Sequence, residues 1–217
     1  MKKFFLLLLL PVTGQAATYI QTVNAAIPDN DLTGITSTIT VSGDATSIVG
    51  VQVVLNLSGT ATAGWGGDIY CYLTHSSGFS VLLNRIGRST ANPAGSGNNG
   101  FGNGSSQLLT LSDSAATDIH LAPTITGAPL AGTFQSDGRN VSPTSTTAVM
   151  DAATRTANLG VFNTLDSAGT WTLFVADTAS GGTMTLNSWQ LTVVPEPSAA
   201  ALGALSLASL VLRRRRK

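Results

Sequence analysis

Between Ile48 and Leu57 the chain alternates with a period of two. Val49, Val51, Val53, Leu55 and Leu57 fall on one face; Gly50, Gln52 and Asn56 fall on the other, with Val54 the apolar exception. A helix would scatter these groups around its axis, whereas a strand separates them cleanly. The same period recurs from Ile35 to Val41 and from Asp68 to Thr74, where Ile69, Cys71 and Leu73 oppose Tyr70 and Tyr72. It returns at Trp171, Leu173 and Val175, and again at Trp189, Leu191 and Val193. His75-Ser76-Ser77-Gly78 reads as a hairpin turn leading into a second strand, Phe79 to Leu83. Short strands separated by Gly-rich turns imply an all-β sandwich or jelly roll of about eight strands.

Composition supports strands over helices. Residues 17–194 contain no Lys and no Glu, and they are rich in Thr, Val, Gly and Ser. Four arginines (Arg85, Arg88, Arg139, Arg155) face ten aspartates there, leaving the core acidic by six charges. Nucleic-acid binding needs clustered cations, so it is not expected. Cys71 has no second cysteine to pair with and sits in an apolar stretch, which predicts a buried thiol. Between the strands, Ser58 to Gly67 reads as a loop carrying Trp65, Ser112 to Ala116 as one helical turn, and 123–143 as loop. Residues 156–162 fit either a strand or a short helix.

The ends carry the remaining cations. Lys2-Lys3, an apolar run from Phe4 to Leu10, and small residues at Gly14 and Ala16 predict a signal peptide (1–16) cleaved by signal peptidase. The core domain is expected over 17–194. Residues 195–217 read as a sorting tail: Pro195-Glu196-Pro197, an apolar stretch from Ser198 to Leu212, then Arg213, Arg214, Arg215, Arg216 and Lys217 as a membrane stop. As a helix the apolar stretch spans about 22 Å, short of a hydrocarbon core of about 30 Å. The expectation is a short C-terminal transmembrane helix holding an exported protein transiently at the inner membrane.

Two resemblances extend this reading. Ile27-Pro28-Asp29-Asn30 followed by a Thr/Ser-rich strand, then Gly67-Asp68-Ile69, Gly169 to Asp177, and Leu186-Asn187-Ser188-Trp189-Gln190-Leu191 resemble the P domain (Homo B domain) of subtilisin-like proprotein convertases. That resemblance covers roughly 27–193. It implies a jelly-roll sandwich that accompanies a serine endopeptidase without catalysing anything itself. Residues 194–217 resemble the PEP-CTERM sorting signal of Gram-negative bacteria that make exopolysaccharide, which implies processing by an exosortase. Together they imply a non-catalytic envelope or extracellular-matrix protein with a structural, adhesive or binding role. The alternatives are an accessory to a protease acting in trans, or a carbohydrate-binding module.

Candidate chemistry is sparse. His75 and His120 are the only histidines, and neither lies near a Gly-Thr-Ser nucleophile context. Aspartates at strand ends offer oxygen ligands to calcium: Asp68, Asp113 and Asp177 lie in or near the stretches that resemble the P domain, with Asp118 and Asp166 next. Trp65, in a Gly-rich loop beside Tyr70 and Tyr72, is the candidate aromatic for stacking on a sugar.

Overall fold

The computed structural model describes residues 15–43, 46–59, 64–96, 107–122 and 130–196. Within them nine strands form two facing sheets: β1 (Ala17–Ile27), β2 (Asp31–Val41), β3 (Ile48–Gly59), β4 (Ile69–His75), β5 (Gly78–Asn84), β6 (Gln107–Ser112), β7 (Gly132–Phe134), β8 (Gly169–Asp177) and β9 (Met184–Pro195). One sheet has the order β1-β9-β3-β6-β7 and the other β2-β8-β4-β5. Every pairing is antiparallel except β6 with β7. One six-residue helix, α1 (Thr147–Ala152), is capped by the Thr146 hydroxyl, which accepts from Val149 N–H at 3.4 Å.

The alternating residues become the core. Leu55, Leu57, Leu73, Leu173 and Leu191 are fully buried between the sheets. Trp171 and Trp189 join them, and each indole N–H has a partner: Ser167 O at 3.0 Å and Ser37 Oγ at 2.9 Å. Burying these rings with their polar atom satisfied adds apolar area without leaving a donor orphaned. Cys71 is buried beside them, and burial pushes its thiol well above its ordinary range.

Several expectations need correction. The sandwich has nine strands, because β1 and β7 are added. β1 alternates only weakly: its inward residues are half-buried until Ile27, as befits an edge strand. At the start of β3 a register shift between Ile48 and Gly50 turns Ile48 inward and Val49 outward, so Val49 is exposed and leaves the face it shares in the sequence pattern. Ser112 to Ala116 makes a turn without becoming helical, whereas Leu159–Phe162 is a short 3-10 helix.

The transmembrane helix is also withdrawn. Among the described residues no helix is long and apolar enough to cross a membrane. The first residues of the expected tail are part of the sandwich instead. Pro195 is buried at the end of β9 opposite Ile48, and Glu196 N–H donates to Ser47 O at 3.0 Å. The expected apolar stretch and basic cluster, within 197–217, lie outside the described residues, as does most of the expected signal peptide.

Candidate functional site

Beside the edge of β5, charged side chains from four separate segments converge under the surface. Asp137 is fully buried. Its Oδ2 lies 2.7 Å from His120 Nδ1 and accepts from Asn84 N–H at 3.3 Å. Its Oδ1 accepts from both Arg139 N–H and Arg139 Nη1 at 3.3 Å. Arg139 also donates to Asp118 Oδ2 at 2.8 Å, while Arg155 donates to Gln135 Oε1, Ser136 O and Asp137 O. The segment around Asp137 is hydrogen-bonded to β5 through Asp137 N–H to Leu82 O and Gly138 N–H to Val81 O, so the network seals that strand's free edge.

A buried His–Asp pair invites a catalytic reading, but the geometry answers it. His120 Nε2 faces the Arg88 carbonyl at 3.0 Å, so the nitrogen a nucleophile would need is occupied. His75 is similarly engaged: Nδ1 lies 3.1 Å from Thr170 O, Nε2 lies 2.7 Å from Asp166 O, and the ring stacks on Trp171 at 4.1 Å. Among the described residues the ring nitrogens of both histidines bond carbonyl or carboxylate oxygens, with no hydroxyl or thiol among those partners. Burial opposes charge on His120. The hydrogen bond to Asp137, that carboxylate's charge and the Arg88 carbonyl outweigh burial, and the pKa of His120 is raised.

A second polar cluster lies where β4 and β8 pair. Asp177 sits opposite Ile69, the residue after Asp68, and opposite Asp31 on its other side. Among the described residues Asp68 has one cation partner, Arg85 Nη2, at 3.7 Å from Oδ1. Asp177 Oδ1 accepts from Ala179 N–H at 3.2 Å. Burial first, and the negative charge of Asp29, push the Asp68 carboxyl up to about 6 against the pull of Arg85. Burial likewise takes Asp177 to about 6, with Asp68 and Asp29 adding to it and Ala179 N–H and Arg85 opposing.

The structure therefore brings together two of the three calcium candidates. Asp113 lies elsewhere, accepting from Leu159 N–H at 3.3 Å and Gly160 N–H at 2.5 Å at the start of the 3-10 helix. Asp118 is committed to Arg139, and Asp166 to its own turn through Ala168 N–H. Among the described residues no group of three or more His, Cys, Asp or Glu side chains is arranged to hold a metal ion.

The aromatic candidates separate too. Tyr70 and Tyr72 point outward from the four-stranded sheet and cluster with Phe79 and Phe174; Tyr72 and Phe174 stack face to face at 4.6 Å. Rings packed against one another in this way leave little open face for a sugar. Burial pushes the Tyr70 hydroxyl up to about 12, with Tyr72, Cys71 and Asp137 adding to it. Trp65 is half-buried ahead of the turn at Gly66–Asp68, and its Nε1 is sealed from solvent without a hydrogen-bond partner.

The residues that sequence reasoning missed are Asp137, Arg139 and Arg155. The sequence offers little signal for them: Asp137 and Arg139 stand two apart, but Arg155 lies 16 positions further on and no periodicity links it to them.

No family model matches the chain, and no curated protein matches it. Solved structures do match, among them the Aeromonas sobria serine protease in complex with its chaperone, at 15% identity and a TM-score of 0.41, and the same organism's serine protease, at 15% identity and a TM-score of 0.36. Each alignment covers 82% of this chain and 27% of the other, so this chain spans about a quarter of the proteins it matches. The expected PEP-CTERM signature, exosortase processing and transient membrane anchoring are withdrawn. No family model supports the sorting signal, its first two residues continue the β9 end of the sandwich, and no described helix spans a membrane.

Proposed function

We propose that this chain is an exported, non-catalytic β-sandwich module that acts through its surface as an accessory to a subtilisin-like endopeptidase on another chain. One observation carries the reading: where the residues of the P-domain resemblance sit. Gly169–Asp177 is an inner strand of one sheet, and Leu186–Leu191 lies within an inner strand of the other. Their tryptophans fill the core between the sheets. These residues build a scaffold and bring no reacting group to a common point. The occupied ring nitrogens of His75 and His120 support the same view.

The test adds the full-length chain to a subtilisin-like endopeptidase secreted by the same cells. Co-elution and a longer half-life of the endopeptidase on heating are expected. An endopeptidase whose elution and half-life are indifferent to this chain would end the proposal. Export predicts a mature N-terminus at Ala17, read by intact mass.

A further inference from the structure

A groove opens where the outer face of the five-stranded sheet meets residues 112–114 and 160–163. Its volume is about 380 Å3, inside the range of small-molecule sites, about 300–1,000 Å3. Val49, Gly50 and Val194 form an apolar floor, and Val49 and Val194 are 44% and 38% exposed. A side chain at Gly50 would meet only Val194, at 3.9 Å, so glycine there keeps the floor open. Gln52, Asp113 and Asn163 supply the polar walls, with Ser114 and Thr192 beside them.

The chemistry of the lining narrows the occupant. Among the described residues Asp113 is the only charged one in it. Its Oδ1 accepts from Leu159 N–H and, at 3.5 Å, from Ser136 Oγ, and its Oδ2 accepts from Gly160 N–H. Of the roughly four acceptor positions of a carboxylate, three are taken. One remains, which suits a single hydroxyl better than the several ligands a metal ion demands. An anion would meet that carboxylate with no cation in the lining to offset it. A hydrocarbon would strand the amides of Gln52 and Asn163, which have no side-chain hydrogen-bond partner among the described residues. An extended peptide needs a free strand edge, and β3 is paired on both sides here, to β6 and β9. What fits is an uncharged molecule with hydroxyls on its rim and a C–H face.

We infer that this groove binds a short stretch of neutral polysaccharide. A sugar's C–H face lies on Val49 and Val194, and its hydroxyls bond Asp113, Gln52 and Asn163. This site is separate from Trp65 and from the outer aromatic cluster of the other sheet, and it does not depend on the protease reading.

The test is a titration of the isotope-labelled full chain, followed by amide chemical shifts, with neutral oligosaccharides (cello-, laminari-, malto- and mannopentaose), an acidic uronate oligosaccharide and a neutral Gly-Ser peptide. Shifts confined to residues 49–52, 112–114, 160–163 and 192–194 are expected with at least one neutral sugar. Asn163→Ala and Gln52→Ala should each weaken binding about fivefold, the effect of one lost hydrogen bond. Gly50→Leu, which fills the floor, should weaken it at least about tenfold. Thr22→Ala, remote on the same sheet face, should leave it unchanged. Binding of no neutral sugar, a preference for the uronate or the peptide, or affinity that survives Asn163→Ala and Gln52→Ala overturns the inference. The two alanine variants decide the matter even if Gly50→Leu fails to fold.

Discussion

The two polar clusters use the same residue types to opposite effect. Around Asp137, each carboxylate meets a cation or an N–H donor at hydrogen-bond distance, and the fully buried one is the best satisfied. Around Asp68 and Asp177, two carboxylates share a single guanidinium, no closer than 3.7 Å to Asp68. In the first cluster the hydrogen bond to Asp137 and that carboxylate's charge let His120 hold its proton more tightly despite burial. In the second, burial and mutual repulsion favour the neutral acids. Composition alone cannot separate these cases. The number of donors that reach each oxygen does.

The sharpest break comes at Asp137. Asp137→Ala leaves the buried His120 and the half-buried Arg139 without their shared acceptor and should cost about 3–5 kcal/mol in chemical denaturation. A loss below about 1 kcal/mol would mean that the network is peripheral to stability.

The next effect is a matter of pH, and both clusters push the same way. A raised His120 pKa stabilises the fold below its ordinary value of 6.5, and that stability is lost as pH rises through the folded value. Asp68 and Asp177, raised from 3.8 to about 6, favour the fold most below 3.8, and this contribution is lost as pH rises through about 6. The melting temperature should therefore fall between pH 5 and pH 8. The clusters are told apart by substitution. His120→Gln removes an attraction and should lower the melting temperature mainly at pH 5. Asp68→Asn or Asp177→Asn removes a repulsion and should raise it mainly at pH 8, by a few degrees. A rise at pH 5 equal to that at pH 8 would show that the carboxylates do not titrate as described.

The smallest expected change concerns calcium. With Asp113 placed elsewhere and Arg85 beside Asp68, a chelator should leave the melting temperature at pH 8 unmoved. A drop that Asp68→Asn abolishes would restore a calcium role to this pair.

The strands were legible where their inward residues are large. Val51 to Leu57 and Trp171 to Val175 alternate because each second side chain is buried against the opposite sheet. β1 was not legible, because an edge strand needs only half-burial and can be built from Ala, Thr and Asn. α1 is too short for a helical period to register, and β7 has three residues. The candidate site was read in part: Asp68 and Asp177 do adjoin, through the β4–β8 register. Arg139 reaches Asp137 from two positions away, but His120, Arg155 and Asn84 reach it from 17, 18 and 53 positions away, and no local pattern reports such a meeting.

The antiparallel pairing of β1 with β9 sets Ala17 against Val193 at one end and Ile27 against Met184 at the other. The polypeptide thus enters and leaves the sandwich side by side, at one corner. A pull between those two points loads the strand pair at its open end and peels it apart one rung at a time, which is the weak direction for such a ladder. As a link in a chain under tension the module would unravel early. Held by its faces instead, with entry and exit slack, it would keep its shape.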